Sequence, residues 1–424
     1  MPPQPPMPPL TPQQATVIKS TVPVLADHGD AITTRFYANM LRAHPDLNKV
    51  FNTSNQLNGH QPRALAGALY AYAANIDDLG VLGPAVELIC HKHASLYIRP
   101  EQYDIVGEYL LMAMQEVLGA ALTPEILEAW TAAYWQLAEL MIARERQLMK
   151  SAGPWTDWRE CRIARKVAES AEITSFYLEP VDRGMKPLPA FLPGQYISVQ
   201  MDVPALEYKQ SRQYSLSDAP WPDYYRISLK REKGLNVHDP EATAHPGYVS
   251  NVLHDTKKEG DIIQVSHPFG DFFLRPNEDI DAPVVLMSAG VGLTCLLSIL
   301  NTLVARRSSR PISWIHAARS SKARAFRAHI QNVVRARDNV KAVFFNKELS
   351  EEDVLGRDYH HHGRMDLEKL DREKELFCDN DKTQYFICGP ISFMVDVGDT
   401  LKGYGVDASR VHVELFGTGG VPKK

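Results

Sequence analysis

The chain has little cysteine and no cysteine pattern. Five residues in 424 (Cys90, Cys161, Cys295, Cys378 and Cys388) are odd in number and include no C-x-x-C pair. That excludes a disulfide framework and a thiolate zinc site, and it points to a reducing compartment, the cytoplasm. Positive charge is not in excess either. Lys and Arg total 46 against 51 Asp and Glu, a net charge of −5, which gives no electrostatic footing for nucleic acid or an anionic membrane. Internal repeats are absent. The one uncharged stretch long enough to pass for a membrane span, 282–305, is interrupted by Ser288, Gly290, Gly292, Thr294, Ser298, Asn301 and Thr302. It reads as a buried strand, a glycine turn and a helix in series, without membrane insertion. The N-terminus, MPPQPPMPPLTPQQ, lacks the blocks of a secretory signal or a transit peptide. Residues 1–10 read as a disordered, extended Pro-rich tail.

What is present is ordinary for folded protein: 44% hydrophobic, 23% charged and 9% aromatic residues. The length leads us to expect two or three domains. From residue 11 to 150 apolar residues recur at helical spacing, as in Leu65, Leu69, Tyr72 and Ile76, or Leu137, Leu140 and Met141. Thr11-Pro12-Gln13-Gln14 has the form of a helix start, with Thr as N-cap and Gln at the third position. This predicts an all-α domain. Past Gly153-Pro154 the texture changes to short β-type runs (162–167, 173–180, 196–201, 225–230, 262–265), which predict a small antiparallel barrel over 156–277. From Pro283 strands (284–287, 312–316, 340–345, 385–388, 411–413) alternate with helical segments, predicting a doubly wound α/β domain over 282–424.

Several motifs carry chemistry. Ser288-Ala-Gly-Val-Gly-Leu-Thr-Cys295 follows a buried strand and opens a helix, a place where glycines let backbone approach a pyrophosphate. The third glycine of the dinucleotide fingerprint is replaced by Cys295, so a plain tight turn explains the segment equally well. Pro193-Gly-Gln-Tyr196 and Arg212-Gln-Tyr-Ser215 offer a guanidinium clamp for phosphate, flat rings and a small hydroxyl. They are followed in order by Gly247-Tyr-Val-Ser-Asn251, Gly270-Asp-Phe-Phe273, the Gly290 turn and Cys388-Gly-Pro390. In the helical region His91-Lys92-His93 accompanies Phe36-Tyr37, Val50-Phe51-Asn52, Asn58-Gly-His-Gln61 and Leu65. The run His360-His-His362 reads as a loop between sheet elements rather than a metal site.

The ordered motif set of residues 156–424 resembles the ferredoxin–NADP reductase-type module, and the helical half resembles a globin. Together they look like the flavohaemoglobin family: an all-α globin, an antiparallel β-barrel FAD-binding domain and an α/β doubly wound NAD(P)H-binding domain. The resemblance implies nitric oxide dioxygenase activity, with haem b, FAD and NAD(P)H as cofactors and O2 and NO as small-molecule partners of a cytoplasmic monomer. The alternatives are an NAD(P)H-dependent haem or flavin reductase and an oxygen or NO sensor. By matching position, His93 would be the proximal haem ligand, and Tyr103 and Glu145 would complete a network on its other nitrogen. An exposed Glu145 paired with Arg144 or Arg146 is the plainer alternative. Tyr37, Gln61 and Leu65 would face dioxygen, and Phe51 would wedge the haem. Tyr196, Arg212, Gln213, Tyr214 and Ser215 would hold FAD, with Gly247, Ser250 and Asn251 at its pyrophosphate. Gly290, Val291, Gly292, Leu293, Thr294 and Cys295 would meet the nicotinamide nucleotide, and Cys388 and Gly389 would lie near its ring. Leu415, Phe416, Gly417 and Thr418 would form the tail whose aromatic covers the flavin. Lys92 and Glu414 would tune redox potentials by charge.

Overall fold

The computed structural model describes residues 9–232 and 247–417. Two compact units emerge. The first holds the described residues up to Trp158 together with Ser198–Arg212 and 247–249; the second holds Arg159–Ile197, Gln213–Glu232 and the described residues from Ser250. The expected tail (residues 1–8 of it), most of the 233–247 loop and Thr418 lie outside the described residues.

Seven helices make up most of the first unit: α1 (Pro12–Ser20), α2 (Val22–Ala43), α3 (Thr53–Leu57), α4 (His60–Ala74), α5 (Gly83–Ser95), α6 (Pro100–Leu118) and α7 (Pro124–Ser151). Side chains start them. Thr11 and Gln14 form a complete capping box on α1, and Asn52 and Thr123 cap α3 and α7 by accepting from the backbone N–H of Asn55 and Ile126. Their apolar faces meet in one core that includes Ile32, Phe36, Met40, Leu69, Tyr72, Met114 and Trp130. One expected core position is corrected. Leu140 is 51% exposed whereas Met141 is buried, because the inward stripe of α7 runs through Met141, Glu145 and Leu148 at spacings of four and three.

The sheet strands that follow are β1 (Arg159–Ala168), β2 (Ile173–Pro180), β3 (Tyr196–Val203), β4 (Tyr208–Ser215) and β5 (Tyr225–Lys230), then helix α8 (Tyr248–Asp255) and β6 (Ile262–Val265). They form one sheet in the order β4-β3-β6-β1-β2-β5, antiparallel where β1 meets β2 and β6 and where β2 meets β5.

The α/β part alternates β7 (Val284–Ala289), α9 (Leu293–Ala305), β8 (Ile312–Ala318), α10 (Arg327–Ala336), β9 (Val340–Asn346), β10 (His361–His362), β11 (Gln384–Cys388), α11 (Ile391–Gly403) and β12 (Val411–Glu414). The sheet order is β10-β9-β8-β7-β11-β12, with every pairing parallel. Both faces are covered: Val284 and Leu286 enter one apolar core with α9 and α10, and Val285 and Met287 enter another with α11. The strand order reverses at β7, so the carboxyl ends of β7 and β11 flank the crevice in which such sheets bind ligands. The 282–305 stretch is the strand, turn and helix that its interruptions indicate. Among the described residues no helix is long and apolar enough to cross a membrane.

The His360–His362 loop reading is corrected. His361 and His362 form an edge strand on β9; His360 Nδ1 accepts from the Phe344 N–H at 3.1 Å, and the His361 ring stacks on Phe345 at 4.7 Å. Aromatic packing and a side-chain bond fix a strand where propensity is weak.

Candidate functional site

Three helices bring together the residues expected beside a haem iron. His93 lies in the last turn of α5, Tyr103 in the first turn of α6, and Glu145 in the inward stripe of α7. His93 Nδ1 is 2.8 Å from Glu145 Oε1 and 3.0 Å from the Tyr103 hydroxyl, and that hydroxyl donates to the same Glu145 oxygen at 2.6 Å. Burial, then the neighbouring carboxylate, hold the Tyr103 phenol above its ordinary range, so it remains a donor. With Nδ1 engaged, Nε2 is the ring nitrogen left for a metal. The His93 side chain keeps 31% exposure while its carboxylate partner keeps 8%. The alternative of an exposed Glu145 is removed. Arg144 instead forms a forked pair with Glu87, which also meets His91 Nε2 at 3.2 Å. His91 thus faces away from the cluster, as a separation of about 200° around a helix requires. Lys92 lies half-buried between the two.

A second cluster surrounds Tyr37 on α2. Its ring packs on Phe36 at 4.7 Å and meets the edge of Phe51 at 5.4 Å. Gln61 Nε2 donates to its hydroxyl at 3.3 Å, which leaves the phenol hydrogen to be given elsewhere. Burial pushes the phenol up to about 12, against a weaker downward pull from Gln61. Leu65, one turn after Gln61 on α4, is partly buried against the same core as Phe51. An imidazole with one bound nitrogen, an apolar lining and a buried neutral donor form a set that fits haem.

In the second unit Gly194 and Gly270 allow the Pro193–Tyr196 and Gly270–Phe273 segments to touch. A β-carbon on Gly194 would lie 2.7 Å from the Phe272 carbonyl oxygen, and one on Gly270 3.0 Å from the Tyr196 ring; both glycines have φ above +110°. Tyr196 and Phe269 exchange backbone hydrogen bonds at 2.8 and 2.9 Å. Gln213, Tyr214 and Ser215 continue β4, Ser215 being buried. In α8, with Gly247 just ahead of it and Ser250 in its first turn, the Asn251 Oδ1 is buried without a partner. An orphaned acceptor near a helix N-terminus fits a ligand that brings hydrogen-bond donors, as FAD does through its hydroxyls.

At the carboxyl ends of the parallel strands Ser288, Cys388 and Glu414 lie in register on β7, β11 and β12. Gly290 is exposed with φ +57°, and a β-carbon on Gly292 would sit 2.2 Å from the Cys388 carbonyl oxygen and 2.8 Å from the Gly389 nitrogen. The glycine therefore lets two loops at the strand reversal pack backbone to backbone. Val291 is half-buried, and the Leu293, Thr294 and Cys295 side chains turn into the core, so this segment presents backbone rather than side chains. Burial, then the Cys295 thiol beside it, raise the Cys388 thiol well above its usual range. Glu414 is buried, Leu415 is half-buried, and Phe416 and Gly417 are exposed.

Residues 34–141 match the Globin family, and residues 286–399 match the Oxidoreductase NAD-binding domain family. The chain is 46% identical to a Flavohemoprotein of Bordetella parapertussis, over 97% of its own length and 100% of the other. This chain belongs to the flavohaemoprotein family. A Deinococcus radiodurans flavohaemoprotein is 45% identical over 96% of this chain and 97% of its own. The solved flavohaemoglobin of Malassezia yamatoensis, which holds FAD and haem, aligns at TM-score 0.82 with 28% identity, covering 96% of this chain and 100% of that one. The FAD/NAD-binding domain of a Vibrio cholerae nitric oxide dioxygenase covers 62% of this chain and 99% of its own at 35% identity and TM-score 0.53.

The motifs of this flavohaemoprotein do not disclose every residue that shapes its sites. Gly107 on α6 is one: a β-carbon there would lie 2.5 Å from the Tyr134 ring, and Tyr134 donates to the Tyr103 carbonyl at 2.6 Å. A glycine inside a strong helical pattern is the signal that could have found it. Gln210 and Ser198, described below, carry no such signal.

Proposed function

We propose that this flavohaemoprotein is an NAD(P)H-dependent nitric oxide dioxygenase, which converts two NO and two O2 into two nitrate ions for each NAD(P)H oxidised, releasing one proton. When bound, haem supplies an iron that takes up dioxygen and exchanges single electrons, and FAD supplies the conversion of a hydride's electron pair into single electrons. The observation that carries the reading is the Glu145 carboxylate on His93 Nδ1. A carboxylate accepting that N–H makes the imidazole a stronger electron donor, which favours oxygen chemistry over simple storage.

Each of the chain's residues has a task in this account. His93 Nε2 holds the metal, and Glu145 with Tyr103 fixes the tautomer and plane of the ring. Tyr37 donates its phenol hydrogen to the negative end of a polarised oxygen substrate, and Gln61 aims that hydroxyl. Phe51 and Leu65 keep the distal space apolar. Arg212–Ser215, Tyr196 and the start of α8 hold FAD, and the backbone of Gly290–Gly292 and Cys388-Gly389 receives the nicotinamide nucleotide. Lys92 and Glu414 place opposite charges beside the haem and flavin positions. We place the reaction in the cytoplasm and take the working species as a monomer, with O2 and NO as its small-molecule partners.

The test adds NO to the aerobic, haem- and FAD-loaded protein with excess NAD(P)H and measures nitrate against NAD(P)H consumed. Two nitrate ions per NAD(P)H, sustained until NAD(P)H is exhausted, is the expected result. NAD(P)H oxidation without NO-dependent nitrate would make the chain a reductase. A single turnover that then stops would make it a sensor.

A further inference from the structure

Gln210 is fully buried on β4, two residues before Arg212, and uses the whole hydrogen-bonding capacity of its side chain. Its Nε2 donates to the Asn48 carbonyl at 2.7 Å and to the Phe51 carbonyl at 3.2 Å. Its Oε1 accepts from the Thr53 backbone N–H at 3.1 Å and from Arg212 Nη1 at 3.1 Å. The neighbouring residues reinforce the arrangement. Ser211 Oγ donates to the Lys49 carbonyl at 3.3 Å, and Arg212 Nη2 donates to Asn52 Oδ1 at 2.6 Å, the atom that also caps α3. One strand therefore meets four backbone groups of the 48–53 loop, the carbonyls of Asn48, Lys49 and Phe51 and the N–H of Thr53, and the ring edge of Phe51 in that loop meets Tyr37.

We propose that Gln210 is a positioning residue of the haem pocket: its amide fixes the 48–53 loop, and with it Phe51 against Tyr37, to the strand that continues into Arg212–Ser215. Ser211, Arg212 and the Tyr208 hydroxyl each hold one further point of the loop, whereas Gln210 alone among these side chains holds three of its backbone groups. Asn48, Phe51 and Thr53 present backbone groups that point at one buried spot, and only a side chain with two donors and two acceptors at its tip satisfies them without water. The distal wall and the arginine strand then move as one body, so a shift of the strand reaches the Tyr37 hydroxyl through Phe51. This inference rests on the haem-pocket part of the proposed function and on no part of its nitric oxide chemistry.

The test is carbon monoxide binding to the reduced, haem- and FAD-loaded full chain, which requires neither NO nor turnover and so separates this inference from the dioxygenase reading. Rebinding after flash photolysis and the C–O stretching frequency report the distal wall and the polarity of Tyr37. In Gln210→Ala, with haem and FAD content retained, the rebinding rate changes about five-fold, the factor that one net hydrogen bond represents, and the C–O stretch shifts. Gln210→Glu covers the case in which the alanine variant does not fold. It keeps both acceptor bonds but sets a carboxylate oxygen against the Asn48 and Phe51 carbonyls, and it shifts both readouts in the same way. Wild-type rebinding and an unshifted stretch in either folded variant would overturn the proposal.

Discussion

Tyr103 donates its hydroxyl hydrogen to Glu145 Oε1 at 2.6 Å, and the same oxygen lies 2.8 Å from His93 Nδ1. One carboxylate oxygen thus serves a phenol and an imidazole at once, each giving its own hydrogen. The arrangement keeps Glu145 an acceptor and His93 Nδ1 a donor.

Glu145→Gln removes the negative charge while keeping the shape. The haem midpoint potential should rise, because a less electron-rich imidazole stabilises the oxidised iron less, and turnover should fall by roughly 10–100-fold, the usual cost of losing a carboxylate behind a metal-bound histidine. Spectroelectrochemical titration checks the first effect. An unchanged potential would place Glu145 in a purely structural role.

Tyr37→Phe deletes one hydroxyl and leaves the packing on Phe36 and Phe51. Dioxygen dissociation should accelerate by about ten-fold, the upper end for a neutral hydrogen bond and the lower end for one to a charged acceptor. Because burial holds this phenol up to about 12, the wild-type dissociation rate should stay flat from pH 8 to about pH 10.5, where an ordinary phenol with a pKa of about 10 would already be ionising. A wild-type inflection near pH 10 that the Phe variant lacks would show the hydroxyl in a more solvated state.

Gly292→Ala forces a β-carbon into the Cys388 carbonyl. Overpacking of this kind costs about 1–3 kcal/mol, and the displaced loops lie where the nicotinamide nucleotide binds. FAD content should be retained while flavin reduction by NAD(P)H slows and its KM rises. Stopped-flow flavin bleaching separates the two, and normal bleaching in the variant would clear this turn of any part in nucleotide binding.

Acid should weaken the second unit through His316. This β8 residue is 2% exposed, its Nδ1 is 2.8 Å from Ser288 Oγ, and burial with the nearby Arg324 charge lowers it to about 3. A depressed histidine favours the neutral folded form. Its stability contribution is therefore complete above the unfolded value of about 6.5 and is lost as pH falls from there toward 3, at about 1.4 kcal/mol per pH unit for one site. Urea midpoints measured for wild type and His316→Gln at pH 7.5 and 5 test this; the variant should show the shallower pH dependence.

Much of this was legible from residues alone, for identifiable reasons. Strands 173–180, 225–230 and 262–265 were bounded by their own turns and agree with β2, β5 and β6 to the residue. The order of PGQY, RQYS, the glycine turn and Cys388-Gly-Pro disclosed the reductase half, because each motif is a local backbone requirement. Glu145 was visible only through resemblance, since nothing local distinguishes it from the surface partner that Arg144 finds in Glu87. The edge strand at His361–His362 was hidden because two histidines acquire strand geometry from Phe345 and Asn346, each sixteen residues earlier. Gln210 and the 2.8 Å bond between Ser198 Oγ and Ser95 Oγ were hidden for the same reason. Each joins positions over 100 residues apart in sequence, and a polar residue in a strand looks like any other until its partner is placed.

The most direct test of the central claim is isotopic. With NAD(P)H and NO supplied under 18O2, the loaded protein should release nitrate in which two of the three oxygens carry the label, the third coming from NO. Nitrate without that double label, or nitrous oxide as the main product, would contradict the dioxygenase account and leave an NAD(P)H-driven haem reductase in its place.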